Sequence, residues 1–289
     1  MKNIGKLVLR GAGTLAVAGV ALMMTPGVAH ADNIAFTLAE GNTIVPGSNT
    51  ATYTVDDING KYNESLTFGV GNTFTANLVV QFATYLNTVG ITETPVATQL
   101  GAPVPGGETV NTNLYAMYAL VTVSGSYSTN LIGSDLLYTF APLSASASIW
   151  LDPTRDTVTN FTTASVASGG GEDLQVLSAT AIDSYLSYGS VTVRGGNVIG
   201  GSYSLTFTNP ALVNPTGPAY WPDLNLMTLA ATASGDVDTT NQGSVFPSAV
   251  KGDTDLTFTQ NPVPEPASLL LLGSGLLGAC AGTRRRKKQ

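Results

Sequence analysis

Two acidic side chains near the middle of the chain have the type and spacing of metal ligands. Asp152 and Asp156 flank the turn Leu-Asp-Pro-Thr-Arg-Asp-Thr, which directly follows a strand-like segment ending at Leu151. Carboxylate oxygens on a strand-end turn are ligands that calcium prefers. The same residues also suit an Asx turn, in which Asp152 accepts backbone N–H groups and Asp156 pairs with Arg155 or with solvent. The sequence therefore predicts either a calcium site or a purely structural turn. Three further acidic pairs lack the spacing of a known calcium loop: Asp56 with Asp57, Asp236 with Asp238, and Asp253 with Asp255.

Two adjacent aromatic residues, Tyr220 and Trp221, form a second candidate site. They lie between Pro218 and Pro222 in a segment that reads as a loop. Aromatic rings presented on a loop can stack on sugar rings, so the pair is a candidate glycan contact of a lectin-like module. The alternative interpretation is a packing clamp, in which both rings are buried against the domain.

The segment between residues 32 and 261 contains neither histidine nor cysteine. The only histidine is His30 and the only cysteine is Cys280. This composition excludes disulfides, thiol or imidazole nucleophiles and ordinary zinc sites from the segment. Glycoside hydrolysis needs only two carboxylates ~5–10 Å apart, so it stays open as a third hypothesis behind the lectin. We expect a protein that is not an enzyme.

The same segment is strongly acidic. Residues 32–261 contain four basic and 18 acidic residues, which gives a formal net charge of 4 − 18, or −14. Nucleic-acid binding is excluded, because phosphate contacts need clustered lysine and arginine. Such a surface attracts divalent or cationic partners and repels anionic glycans unless cations intervene.

Alternation of apolar and hydroxyl residues dominates the region between the two ends of the chain. Period-two alternation with β-branched residues is typical of strands buried on one face. We therefore predict an all-β fold, an antiparallel β-sandwich, with a β-solenoid as the second choice. The pairs Asn59–Gly60 and Gly195–Gly196 predict turns between strands. The clearest alternating segments are 51–55, 78–82, 120–123, 145–150, 190–193, 203–207 and 256–258.

The first 31 residues read as a secretory signal peptide. A basic start is followed by the apolar run 12–24, and Ala29 and Ala31 are the small residues that signal peptidase requires. The apolar run is shorter than the ~20 residues that a permanent span needs. We therefore expect an N-terminal signal helix that is removed, with the mature chain beginning at Asp32. The residues of the basic start are Lys2, Lys6 and Arg10.

The other end combines a proline motif, an apolar stretch and a basic cluster. Val263, Pro264, Glu265 and Pro266 precede the apolar residues 267–282. As a helix this stretch measures roughly 24 Å, shorter than a ~30 Å hydrocarbon core. We predict a short C-terminal transmembrane helix whose basic tail stays in the cytoplasm. A plain tail anchor is the alternative. The tail cluster is Arg284, Arg285, Arg286, Lys287 and Lys288.

This order of features closely resembles the PEP-CTERM sorting signal. The resemblance implies a Gram-negative host that makes exopolysaccharide, a transient inner-membrane intermediate, and removal of the tail by an exosortase after signal peptidase has acted. We accordingly predict three parts: a signal peptide (1–31), a β-sandwich ectodomain (32–261) and a sorting signal (262–289).

A second resemblance covers most of the region from Ile44 to Thr259. Segments such as NLYAMYALVTVSGSYS, SASIWLDPTRDT and EDLQVLSATAI look like those of flocculation-associated, PepA-type PEP-CTERM proteins. That resemblance implies a protein of the cell surface or extracellular matrix. Its partners would be exopolysaccharide or other surface proteins, and its role would be in floc or biofilm formation.

Overall fold

The computed structural model describes residues 33–40, 52–89, 92–101, 115–213, 216–224, 229–237 and 246–260. All of them belong to one compact unit, residues 32–289. In this described part the chain forms fifteen strands and one short helix. The strands are β1 Phe36–Ala39, β2 Thr52–Val55, β3 Asp57–Phe68, β4 Thr73–Val89, β5 Thr92–Val96, β6 Ala116–Ile132, β7 Asp135–Asp152, β8 Val158–Asn160, β9 Ser165–Ser168, β10 Leu174–Ala179, β11 Tyr188–Arg194, β12 Asn197–Thr208, β13 Ala211–Leu212, β14 Leu229–Asp236 and β15 Val250–Gln260, and the helix is α1 Thr216–Tyr220.

Eight of these strands close into a ring. They pair in the order β11-β12-β14-β15-β3-β4-β6-β7, and β7 pairs back to β11. Every pairing between the named strands is antiparallel, so the all-β antiparallel prediction is confirmed and the β-solenoid does not fit. Because the pairing of β7 with β11 closes the ring, most of the length of these eight strands is paired on both sides, which protects it from pairing with other chains.

The core fills the space inside this closed sheet. Along β6, Val121 and Val123 are buried, while Thr122 and Ser124, which alternate with them, are only half-buried. Side chains from β4, β6 and β7 meet those from β12, β14 and β15 around an apolar cavity of about 40 Å³. Opposite walls of this one closed sheet therefore face each other across the core, and the pairing of β7 with β11 joins them.

The long strand β7 has a gap on one side. Its residues Leu136–Phe140 pair with β11, and its residues Ala147–Leu151 pair with β10. The residues between them, 141–146, have no strand partner on that side within the described part of the chain. We call this stretch the β7 gap. It contains Pro142, which lacks the N–H group that a ladder needs.

A glycine on the neighbouring strand shapes the same place. The β6–β7 register shifts between Ser124 and Gly125, which is a β-bulge. A Cβ on Gly125 would collide with the backbone of Ala141 and Pro142. The close approach of β6 and β7 at the gap therefore requires glycine.

The two predicted glycine turns have different outcomes. Gly195 and Gly196 form the β11–β12 turn with φ values of 57° and 85°, which confirms that prediction. The prediction of a turn at Asn59–Gly60 is wrong, because both residues lie inside β3 at a bulge. A Cβ on Gly60 would lie 2.6 Å from the carbonyl oxygen of Gln81, so this glycine serves a close strand contact rather than a reversal of the chain.

Helical structure is a minor part of the described chain. The helix α1 has five residues. Among the described residues, the structure contains no helix with the length and apolar character of a membrane span. The predicted signal helix and the predicted membrane helix both lie outside the described residues.

Candidate functional site

The turn after β7 is built around Asp152. This side chain is fully buried. Its Oδ1 accepts the N–H groups of Thr154 at 3.1 Å and Arg155 at 2.5 Å, and its Oδ2 accepts the N–H of Thr157 at 2.9 Å. Arg155 has a positive φ of 62°, which the tight turn imposes. This is the Asx turn of the structural interpretation, with three backbone donors satisfied by one carboxylate.

Asp156 lies on the exposed side of the same turn, next to Glu172. The hydroxyl of Thr154 lies 2.9 Å from Asp156 Oδ1 and also contacts Glu172. One oxygen from each of Asp152, Asp156 and Glu172 lies within 4.8 Å of the others. Three carboxylate oxygens could therefore reach one cation, although Asp152 is already engaged by the backbone. The calcium site stays a prediction.

Glu172 is the member of this cluster that sequence reasoning missed. It precedes β10 and approaches the turn only because β10 pairs with the end of β7, where Leu174 lies opposite Leu151. Pairing between distant strands left no local signal in the sequence.

Tyr220 and Trp221 do not form a glycan platform, and that prediction is corrected by the structure. Both side chains have 0% of their surface exposed. The Trp221 ring makes edge contacts with Phe36 of β1 and Phe258 of β15. The segment forms α1 and packs into the core instead of remaining an open loop, so neither ring offers a face to a sugar. The packing interpretation of this aromatic pair is the correct one.

The Tyr220 hydroxyl instead belongs to a buried hydrogen-bonded chain. It lies 2.8 Å from the hydroxyl of Tyr85 and 2.8 Å from that of Tyr115. Tyr115 donates to Glu40 Oε1 at 2.8 Å, and the N–H of Gln99 donates to the same oxygen at 2.7 Å. Burial raises the pKa of Glu40 above its usual range, despite these two donors. The chain links five separate segments and gives buried polar groups their partners.

Members of the other acidic pairs make contacts of their own within the fold. Asp56 accepts the N–H of Thr88 at 2.9 Å. Asp57 is buried, and burial, followed by the nearby charge of Asp255, raises its pKa to about 7. Asp253 lies 3.8 Å from Lys61 in an exposed ion pair. Asp238 lies outside the described residues.

The predicted processing residues also lie outside the described residues. These are Ala29 and Ala31 at the signal cleavage site, Val263, Pro264, Glu265 and Pro266 at the sorting site, and Arg284, Arg285, Arg286, Lys287 and Lys288 in the tail.

Comparison with known families bears on this last group directly. Residues 262–287 match the PEP-CTERM protein-sorting motif. No curated protein and no solved structure matches the chain. The motif implies export, processing by exosortase, and a place at the surface or outside the cell of a Gram-negative bacterium. The match confirms the predicted resemblance over residues 262–287, and the chain carries a PEP-CTERM sorting motif there.

Proposed function

We propose that this protein is a non-enzymatic component of the cell surface or extracellular matrix that promotes exopolysaccharide-associated aggregation, as in flocs or biofilms. The observation that carries the proposal is the sorting motif at residues 262–287, attached to an acidic all-β domain. In this account signal peptidase removes residues 1–31, the short helix holds the chain briefly in the inner membrane, and exosortase cuts near Pro264-Glu265-Pro266.

The tip of the β6–β7 hairpin supports an adhesive role. Leu131, Ile132 and Leu136 expose 72%, 57% and 40% of their surface there. Asp135 at this tip accepts hydrogen bonds from Arg194 Nε at 2.6 Å and from Nη2 at 2.7 Å, which braces the hairpin against β11. Exposed apolar side chains on a braced hairpin suit contact with another surface protein.

The charge of the domain supports a role for cations in contact with polysaccharide. Residues 32–261 carry 18 acidic and four basic residues. An anionic polysaccharide would be repelled by this surface unless divalent ions bridge the two. Aggregation that depends on this protein should therefore weaken when divalent ions are chelated.

Complementation of a deletion strain tests the proposal. The full chain should restore floc sedimentation, and a chain lacking residues 262–289 should not, because it escapes exosortase. A Leu131→Ser and Leu136→Ser double variant should restore less sedimentation than Val70→Ser, a matched control at a side chain that is 98% exposed on another turn. Unchanged sedimentation of the deletion strain would contradict the proposal. Release of reducing sugar from the host polysaccharide by the purified protein would favour the hydrolase alternative.

A further inference from the structure

A pocket inside the closed sheet lies behind the β7 gap. Its cavity measures about 50 Å³, and Pro142 of the gap and Tyr188 of β11 are among its lining residues. At ~10–15 Å³ for each water-sized group, it has room for roughly three to five such groups. The lining is almost entirely carbon, contributed by β3, β4, β6, β7, β11 and β12. We call this space the interior pocket.

Two polar groups of β3 face the interior pocket without a described partner. Tyr62, Glu64 and Leu66 point inward in alternation, and all three line the pocket. The Tyr62 hydroxyl belongs to a side chain that is only 1% exposed, and no described residue gives it a hydrogen bond. No described residue donates a hydrogen bond to the Glu64 carboxylate or pairs with it. A buried hydroxyl left without a partner destabilises a fold, and the half-buried Glu64 carboxylate lies beside Tyr62 in the same pocket, so the two groups together point to a ligand.

The charge around the pocket indicates the sign of that ligand. Burial raises the pKa of Glu64 to about 7. The described basic residues do not line the pocket, and two of them, Lys61 and Arg194, already pair with Asp253 and Asp135. A cation would let the Glu64 carboxylate ionise inside the domain, whereas an anion would be repelled by it and by the acidic surface.

The rings around the carboxylate suit a cation as well. Tyr62 and Tyr203 meet edge to face with their centroids 5.1 Å apart. Phe74 and Phe140 line the same pocket, also edge to face, at 5.0 Å. Aromatic faces attract ammonium groups, and their carbon surface favours a short hydrocarbon body. The Tyr203 hydroxyl is engaged, since it donates to Thr254 Oγ1 at 2.5 Å, so Tyr62 is the free hydroxyl of this pair.

We propose that the interior pocket binds a small apolar primary amine, with Glu64 as counter-ion and the Tyr62 hydroxyl as a second hydrogen-bond partner. The ammonium group lies at these two side chains, and the hydrocarbon body extends between the aromatic rings toward the β7 gap. This binding site is independent of the proposed role in aggregation.

Ligand titration of the protein purified from producing cells tests this proposal. The probes are n-butylamine and its neutral isostere 1-butanol, followed by NMR at pH 8, where the amine is protonated and Glu64 is ionised. We expect butylamine to bind about ten-fold tighter than 1-butanol, because it adds a charge-assisted hydrogen bond. Equal affinity for the two probes, or binding of neither, would overturn the proposal and leave a pocket that holds only water.

Variants distinguish amine binding in the interior pocket from amine binding to the acidic surface. Glu64→Gln should weaken butylamine binding about ten-fold while leaving 1-butanol binding unchanged. Glu93→Gln, at an exposed carboxylate on β5, is the matched control and should change neither. Tyr62→Phe keeps the ring and should weaken butylamine binding by a smaller factor than Glu64→Gln. Butylamine binding that survives Glu64→Gln, or that falls equally in Glu93→Gln, would contradict the assignment.

Discussion

The turn after β7 and the interior pocket each hold a carboxylate that is wholly or partly buried, but only one of the two meets hydrogen-bond donors. Asp152 is fully buried and accepts three backbone N–H groups. Glu64 is half-buried and accepts none from the described residues, and burial raises its pKa to about 7. The difference teaches that the number of donors decides what a buried carboxylate does. With donors it holds a turn together, and without them it remains available to a proton or a ligand.

Removal of Asp152 should have the largest effect on stability. Asp152→Ala leaves three backbone N–H groups of the buried turn without their acceptor, and we expect a loss of about 3 kcal/mol in the free energy of unfolding. Urea denaturation monitored by circular dichroism measures this loss. Asp156→Asn, on the exposed side of the same turn, is the control and should change stability by less than about 0.5 kcal/mol. Similar losses in the two variants would remove the distinction between donor-rich and donor-poor carboxylates.

The second largest effect should be a pH dependence of stability that comes from two carboxylates with few hydrogen-bond donors, Asp57 and Glu64. The pKa values of Asp57 and Glu64 are raised to about 7 in the folded state by burial, while an unfolded chain has values near ~4. The folded state therefore binds more protons between these values, and linkage requires stability to fall as the pH rises from ~4 to about 7. Thermal melting across this range should show the decline.

Glu64→Gln sharpens that test. It removes one of the two titrating groups, so it should flatten the decline and raise stability at pH 8 by about 1 kcal/mol. A variant as steep in its pH profile as the unmodified protein would show that Glu64 does not titrate as its burial predicts.

Calcium should give the smallest effect. If Asp156 and Glu172 hold a calcium ion with Asp152, millimolar calcium should raise the melting temperature by a few degrees at most, since Asp152 is already engaged. The Asp156→Asn and Glu172→Gln double variant should lose that increase. A calcium-dependent increase of the same size in the double variant would exclude this turn as the site.

The features that could be predicted from the sequence are those set by residues close together along the chain. Alternation in 145–150 and 203–207 marked strands that the structure places in β7 and β12. The sorting motif is a linear signal, so its residues were readable in order. The Asx turn at Asp152 was one of two interpretations because its donors are within five residues of it.

The remaining features depend on contacts between distant residues. Closure of the sheet needs β7 to pair with β11 across more than forty residues of chain. Glu172 joins the acidic turn only through strand pairing, and Glu64 lies outside the alternating segments, so no local pattern in the sequence marked it. The sequence left Tyr220 and Trp221 open between a glycan contact and a packing clamp, because the prolines beside them suggested a loop. The contacts of Trp221 with Phe36 and Phe258, which decide for packing, come from both ends of the domain.

Mass spectrometry of the mature C-terminus from producing cells tests the central claim most directly. If exosortase processes this protein, the C-terminal peptide should end near Pro264-Glu265-Pro266, and no peptide from the surface or matrix fraction should contain Arg284 to Lys288. A matrix protein that still ends in Gln289 and retains the basic cluster would contradict the account.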